Sequence, residues 1–173
     1  AIDQNDQNLG FFHEWVAAFA QEFDRVLIFA LRVGEHALPA NVEIVTIRNG
    51  KHSRLATAGR FISLVLKRRR DYDTVFVHMN PEYLLLTGFL WRCMRKPVTL
   101  WYTHKSVTPM LRIAECLSTR ILSASHESFR LNSKKLVVLG HGIDAMHFSP
   151  PLTPQARTSF ITVGRLSPTK RIN

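Results

Sequence analysis

Short apolar runs alternate along this chain with longer segments in which apolar residues recur every three or four positions. The runs are rich in β-branched and aliphatic residues and are bounded by Gly, Pro or Asn, which is typical of strands. They occupy residues 26–31, 42–47, 74–79, 98–103, 120–123 and 136–139. The first two runs are apolar almost without interruption, which predicts strands buried on both faces and therefore parallel pairing.

The segments between these runs carry helix signals. Helical spacing of apolar residues predicts helices over 11–23, 52–70, 81–94 and 110–117, and a short one over 126–131. Asn80-Pro81 and Thr108-Pro109 each supply an N-cap residue followed by a first-turn proline. Strand and helix thus alternate throughout, which predicts an α/β fold with a doubly wound, mostly parallel sheet.

Composition allows one full hydrophobic core, since 46% of the 173 residues are hydrophobic. The net charge of +10 is concentrated between Arg48 and Arg70, where eight Lys or Arg occur without any acid. We expect the helix over 52–70 to bury one stripe and to present a basic outer face. The buried stripe is predicted to contain Leu55, Ala58, Phe61, Ile62 and Val65. Such a field favours an anionic partner, which leaves anionic lipid, nucleic acid and a phosphorylated substrate as candidates.

Neither a membrane span nor a secretion signal is visible in the sequence. No apolar stretch reaches the roughly 18 residues that cross a bilayer, and residues 1–10 lack the charged-then-apolar pattern of a signal peptide. Cys93 and Cys116 have no neighbouring thiol or metal-ligand spacing, so we expect reduced thiols in the core. These features predict a cytoplasmic protein, with peripheral binding at the inner face of the membrane through the basic helix 52–70.

Polar residues follow the predicted strands, where ligands of open α/β sheets bind. His78 and Asn80 end the third strand, His104 the fourth, Ser125 follows the fifth and His141 the last. A histidine in such a place can act as a general base, donate a hydrogen bond to substrate, or simply occupy the loop. Gly10, before the first helix, allows a close backbone approach to a phosphate or forms a plain turn.

Asp71-Tyr72-Asp73 has the D-x-D spacing that can hold a divalent metal. It precedes its strand, which places both carboxylates at the edge of the sheet opposite the ligand site. Because no other acidic pair and no His/Cys cluster suggests a metal, we expect no metal site and no cofactor.

Two strings near the end of the chain carry the most specific pattern. The first is V-x-G-H-G-I-D-x-x-x-F-x-P from Val138 to Pro150, and the second is V-G-R-L-x-x-x-K from Val163 to Lys170. Together with W-Y-T-H-K-S from Trp101 to Ser106, they resemble the interdomain region and catalytic-histidine segment of family 4 glycosyltransferases. The resemblance implies the acceptor-side, Rossmann-like domain of a GT-B enzyme, with the start of the donor-side domain behind it.

That resemblance also implies an activity and roles for particular residues. The enzyme would be a hexosyltransferase-like protein that moves a sugar, with retention, from a nucleotide-sugar donor to a glycan or lipid-linked acceptor without a metal. His104 would orient donor and acceptor and stabilise positive charge at the anomeric carbon. Arg165 and Lys170 would clamp the donor diphosphate, Gly10 would contact the donor, and His78, Asn80, Ser125 and His141 would line the cleft.

The resemblance divides the chain into an acceptor-side domain over 1–148, a proline-rich linker over 149–157 and an incomplete donor-side domain over 158–173. We therefore expect a fragment, truncated at both ends and inactive alone. Two alternatives stay open at this point. One is a GT-B enzyme of other chemistry, such as a sugar-nucleotide epimerase or a phosphorylase, and the other is a non-catalytic basic module that binds nucleic acid.

Overall fold

The computed structural model describes residues 2–3, 10–48, 50 and 53–142. The elements run in the order α1 (Gly10–Glu22), β1 (Val26–Ala30), β2 (Val42–Thr46), α2 (Arg54–Lys67), β3 (Val75–His78), α3 (Pro81–Cys93), β4 (Val98–Trp101), α4 (Pro109–Leu117), β5 (Arg120–Ser123) and β6 (Leu136–Val138). Chain contacts divide the protein into units 1–141 and 142–173. All of these elements belong to the first unit, and the predicted linker and donor-side segment lie outside the described residues.

All strand pairs within the described residues are parallel. β1 and β2 form a two-stranded sheet, and β3, β4, β5 and β6 form a four-stranded sheet in that order. Ile2 adds a parallel bridge to Val33 just beyond β1: its N–H donates to the Arg32 carbonyl oxygen, and its own carbonyl accepts from Gly34. The predicted mostly parallel α/β architecture is confirmed.

Helices cover both faces of the four-stranded sheet. On β3, Phe76 and His78 point to one face, where the Phe19 and Trp15 rings of α1 contact them at 5.2 and 5.7 Å. Val77 points to the other face and joins the main core with residues of α2, α3 and α4. Since successive strand residues face opposite sides, this arrangement is the doubly wound layering that the sequence predicts.

The helix starts follow from local capping chemistry. α3 and α4 begin at Pro81 and Pro109, as predicted, because proline has no N–H to leave unpaired in the first turn. Thr108 Oγ1 accepts from the Leu111 N–H at 3.1 Å, and Ser53 Oγ accepts from the Ala56 N–H at 3.2 Å at the start of α2.

Close packing of α3 against α4 depends on a glycine that interrupts an otherwise apolar run. A Cβ atom at Gly88 would lie 3.0 Å from Leu117 Cδ1 and 3.1 Å from Leu117 Cβ. The neighbouring Thr87 is fully buried, and its hydroxyl donates to the Tyr83 carbonyl oxygen at 2.7 Å. Both residues therefore belong to the buried side of α3.

Several sequence predictions are wrong in detail. β1 and β2 are mostly half-buried, because each strand pairs on only one side along most of its length in the described part of the chain. Leu55 is 85% exposed, although Phe61 and Val65 of the same predicted stripe are buried. Cys93 and Cys116 are free thiols but both are exposed, since they lie off the buried stripes of α3 and α4.

The predicted short helix over 126–131 is instead a turn. Its backbone bonds connect residues three apart, from the Ser128 N–H to the Ser125 carbonyl and from the Phe129 N–H to the His126 carbonyl. Ser125 Oγ also accepts from the Ser128 N–H at 3.1 Å, and such serine turns compete with helix formation.

None of the helices in the described residues has the length and apolar character that crossing a bilayer requires.

Candidate functional site

The polar residues predicted from the sequence gather at one edge of the four-stranded sheet. Parallel neighbouring strands end at the same edge, and we call the edge at the ends of β3 to β6 the carboxyl edge. Residues at or just after these strand ends comprise His78, Asn80, His104, Ser125 and His141. The topology thus brings five of the predicted site residues to one side of the domain.

Gly10 belongs to the same side. It is the first residue of α1, and the next two residues, Phe11 and Phe12, place their rings 6.0 and 4.6 Å from the imidazole of His78. The N-terminus of α1 therefore lies beside the end of β3. Arg165 and Lys170, the predicted diphosphate clamp, lie outside the described residues.

His104 is exposed in the loop after β4, so its ring does not enter the core. Its Nδ1 accepts a hydrogen bond from the Ser106 N–H at 3.1 Å, and the Tyr102 ring lies 6.4 Å away. When one imidazole nitrogen accepts, the other carries the proton in the neutral ring. In the neutral ring Nε2 therefore carries the proton and is able to donate a hydrogen bond.

A strained turn fixes the start of the His104 loop. Met79, directly after β3, has φ +61°, a left-handed conformation that a side chain other than glycine rarely adopts. Its N–H donates to the Trp101 carbonyl at 2.8 Å, and its sulfur accepts from the Thr103 N–H at 3.3 Å and from the Thr103 hydroxyl at 3.2 Å. Met79 thus connects the ends of β3 and β4. No sequence pattern indicates this turn, since methionine is not a turn residue.

His78 lies in a different environment from His104. The rings of Phe11, Phe12 and Trp15 surround it at 4.6 to 6.0 Å. Burial lowers the pKa of His78 from its ordinary value of 6.5 to about 4. His78 is therefore neutral at pH 7 and packs against α1.

The side chains of the three other predicted cleft residues differ in whether they bond to neighbouring residues. Asn80 is exposed and precedes α3 without a side-chain capping bond, so its amide points to solvent at the carboxyl edge. Ser125 Oγ is engaged with the backbone and hydroxyl of Ser128, each at 3.1 Å. His141 is exposed after Gly140, whose φ of +80° turns the chain beyond β6.

Asp71 and Asp73 lie before β3, at the opposite edge from His104. The Asp71 carboxylate pairs with Arg68, which is a structural use of this side chain. Within the described residues, no group of three or more His, Cys, Asp or Glu side chains is placed to hold a metal ion. The assignment of this D-x-D string to a turn fits its ion pair.

The basic run at the end of α2 contains one cation that is already neutralised. Arg68 Nη1 and Nη2 bind the two carboxylate oxygens of Glu43, each at 2.6 Å, and Arg68 Nε binds Asp71. Lys67, Arg69 and Arg70 are exposed. Association with an anionic membrane surface through the basic helix 52–70 stays a prediction, to which these three exposed cations, Arg54 and Arg60 contribute but Arg68 does not.

Two arginines that follow β1 and β2 line a cleft that was not among the sequence predictions. Arg32 follows β1 and Arg48 follows β2, and both line a cleft of about 540 Å³. The position directly after an apolar run, which indicated His78 and His104, applies to them equally. In the sequence pattern they belong only to the general positive charge.

Comparison with known proteins bears on the fold. No protein-family model matches the chain, and no curated protein sequence matches it. A crystal structure of Anabaena Alr3699/HepE in complex with UDP matches 82% of this chain and 43% of its own, with a TM-score of 0.52 and 16% identity. A structure of UDP-GlcNAc 2-epimerase from Methanocaldococcus jannaschii matches 58% of this chain and 32% of its own, with a TM-score of 0.42 and 13% identity.

The first likeness is one of fold. It supports a Rossmann-like domain of the GT-B type, in agreement with the parallel, doubly wound layering. The chain spans less than half the length of either protein that it matches. Membership of glycosyltransferase family 4 stays a prediction from the sequence strings.

Proposed function

We propose that this chain is the acceptor-side domain of a retaining GT-B glycosyltransferase, which moves a sugar from a nucleotide-sugar donor to a glycan or lipid-linked acceptor. The fold shared with a protein crystallised with UDP is the observation that carries this proposal. The placement of five polar residues at the carboxyl edge supports it, since ligands of open parallel sheets bind there. The reaction type comes from the sequence resemblance of the chain to family 4, at Trp101 to Ser106 and in the last third of the chain.

His104 is the residue to which we assign the central role. Because the Ser106 N–H occupies Nδ1, the neutral ring presents the Nε2–H outwards. This hydrogen bond favours a role in orienting a hydroxyl of the donor sugar or the acceptor. The same contact occupies the lone pair that would otherwise face a cationic anomeric carbon, so we assign His104 to positioning substrate by hydrogen bonding more than to charge stabilisation.

The proposed reaction breaks the bond between the anomeric carbon and the diphosphate oxygen, and the electron pair leaves with the diphosphate. The acceptor oxygen bonds to the same face of the carbon, and its proton passes to the departing phosphate oxygen. Charge on the leaving group grows along this path, so cations fixed beside it accelerate the reaction. Arg165 and Lys170 are assigned this part from their sequence string.

Nucleotide-sugar turnover by the full-length protein tests the proposal, with UDP-sugars as the first donors. We expect His104→Ala to lower kcat/KM by about 100-fold, the usual loss when one positioned donor is removed. His104→Gln should retain more activity, because its amide nitrogen can replace the Nε2–H. His36→Ala, which removes an exposed histidine from the loop between β1 and β2, serves as the matched control.

The products distinguish the proposal from its rivals. Transfer gives a glycosylated acceptor with retained configuration and free nucleoside diphosphate, whereas an epimerase gives a rearranged nucleotide sugar. Wild-type turnover by His104→Ala would exclude the role given to that side chain. Binding of RNA or DNA with steep salt dependence, and no turnover of any donor, would favour a nucleic-acid module instead.

A further inference from the structure

A groove lies at the amino ends of β4 and β5, at the opposite edge of the sheet from His104. We call it the rear groove. Its volume of about 550 Å³ falls within the range of roughly 300 to 1,000 Å³ that is usual for small-molecule sites. The segments that connect α3 to β4 and α4 to β5 supply most of its lining. The polar side chains that matter here are Arg92, Arg95, Lys96, Thr119 and Lys135.

Two of the four cations in the rear groove are used by the fold. Lys135 Nζ donates to the Glu115 carbonyl at 2.7 Å and to the Cys116 carbonyl at 3.3 Å, at the negative end of α4. It also lies 3.9 Å from the Glu115 carboxylate. Lys96 Nζ donates to the Tyr72 carbonyl and lies 4.6 Å from the centre of the Tyr72 ring. Both lysines therefore have structural partners.

The guanidinium groups of Arg92 and Arg95 are placed differently. Both side chains are exposed, and none of the ion pairs within the described residues includes either of them. Backbone groups cap the end of α3 instead: the Arg95 N–H donates to the Arg92 carbonyl at 3.0 Å, and the Lys96 N–H donates to the Trp91 carbonyl at 2.9 Å. The end of α3 therefore does not depend on either guanidinium.

Arg95 also occupies a backbone position that favours glycine. Its φ is +56°, in the left-handed region, directly after the end of α3. A Cβ atom makes this conformation unfavourable, because it approaches the following carbonyl oxygen. The chain thus carries an arginine where glycine would be adopted more easily, and that arginine lines the rear groove.

Thr119 adds a neutral donor to the lining. Its Oγ1 accepts from the Val98 N–H at 3.0 Å, so the hydroxyl proton remains available to a ligand. Two arginine forks and a hydroxyl suit the three terminal oxygens of a phosphate monoester. A carboxylate has only two oxygens, so it would use this set of donors less fully.

We propose that the rear groove binds a phosphorylated small molecule, whose phosphate is held by Arg92, Arg95 and Thr119. A volume of about 550 Å³ leaves room beside the phosphate, and Pro97 and Leu117 give the organic part an apolar surface. The site lies at the other edge of the sheet from the residues of the proposed reaction. This inference therefore does not depend on the proposed function.

The two cysteines of the chain provide a site-specific test. Cys116 lines the rear groove, whereas Cys93 is an exposed thiol that does not line it. Alkylation of both thiols by iodoacetamide is followed in the same sample by mass spectrometry of the peptides. The probes are AMP and glucose 6-phosphate, with adenosine and glucose as uncharged comparisons and inorganic phosphate as the anion alone.

We expect AMP or glucose 6-phosphate to slow the alkylation of Cys116 and to leave that of Cys93 unchanged. Arg92→Ala/Arg95→Ala should raise the half-maximal probe concentration by about tenfold, the scale of losing charge-assisted bonds at an exposed site. The control Arg54→Ala/Arg60→Ala removes the same charge from two exposed residues of α2. It should stay within about twofold of the wild type, since distant exposed charges are screened.

The variant Arg95→Gly separates binding from folding. It removes the guanidinium and also relieves the unfavourable backbone conformation. We therefore expect weaker protection of Cys116 together with a urea midpoint no lower than that of the wild type. Wild-type protection in this variant would overturn the role given to Arg95.

Three results would overturn the proposed site as a whole. The first is equal weakening by the two double variants, which would mean attraction to net charge alone. The second is equal slowing of Cys116 and Cys93, or equal protection by a phosphorylated probe and its uncharged comparison. The third is no protection by either phosphorylated probe up to about 10 mM, where even a millimolar site is largely filled. Protection by inorganic phosphate as strong as that by AMP and glucose 6-phosphate would overturn the contact with the organic part.

Discussion

Replacing Glu43 by glutamine should make the stability of the domain less sensitive to acid. Glu43 lies on β2 and accepts from Arg68 twice at 2.6 Å and from Arg25 at 2.6 Å. Hydrogen bonds from Arg68, and then from Arg25, lower the pKa of this carboxyl from its ordinary value of 4.5 to about 2. Glu43 is therefore the residue that connects β2 to the end of α2.

The size of the effect follows from that pKa and from exposure. A carboxyl whose pKa falls from 4.5 to about 2 would gain about 3 kcal/mol in a shielded site. The Glu43 side chain is 41% exposed, and solvent screening reduces the expected contribution to about 1 kcal/mol. The depressed pKa means that the unfolded chain binds more protons in this range, so the contribution is complete above pH 4.5 and is lost as pH falls towards 2.

Urea unfolding followed by circular dichroism measures this difference. At pH 7 we expect Glu43→Gln to unfold with about 1 kcal/mol less free energy than the wild type, and we expect the gap to close between pH 4.5 and 2. Glu14→Gln, at an exposed position of α1, is the control. A double-mutant cycle with Arg68→Met isolates the pair. A gap of constant size at every pH would show that the ionised pair is not its cause.

Two further predictions concern the core and its histidine. Leu100→Ala, at a fully buried position of β4, should cost about 3 kcal/mol of unfolding free energy. Leu139→Ala, at a position that is 61% exposed, should cost less than about 0.5 kcal/mol, and similar losses at both sites would contradict the assigned core. His78→Phe should remove a loss of stability that the wild type shows as pH falls from 6.5 to 4, because the unfolded histidine takes up a proton that the buried one excludes. Urea unfolding measured from pH 6.5 to 4 tests this prediction, with His36→Phe as the control. An unchanged pH profile of stability in His78→Phe would refute the burial argument.

The residues at the carboxyl edge show how much of the candidate site the local sequence pattern predicts. The alternation of runs and periodic segments was enough to place His78, His104 and His141 after neighbouring parallel strands, because parallel strands end on one side. The same rule points to Arg32 and Arg48, which the charge pattern alone does not distinguish from the other cations. The turn at Met79 had no such signal, since its φ is imposed by the contacts that the residue makes with Trp101 and Thr103.

The sequence predicted least well which charged side chains are neutralised by an ion pair. Residues 67–70 form one uninterrupted cationic run in the chain, yet Arg68 is bound to Glu43, which lies 25 positions earlier. Burial of single side chains was equally hard to assign. Leu55 fits the helical period of α2 but lies in its first turn, well before the buried Phe61 and Val65, and the two cysteines face outwards.

The sequence by itself determined the order of strands and helices apart from the segment 126–131, the proline-marked starts of α3 and α4, and the parallel character of the sheet. These features depend on hydrophobic period and on capping, both of which act within a few residues. Only the tertiary structure decided which charges are neutralised, which apolar side chains remain exposed, and that Arg32 and Arg48 share a cleft. Those outcomes depend on the packing of segments that are distant in the chain, where the nearest partner is set by the fold and not by the neighbouring residues.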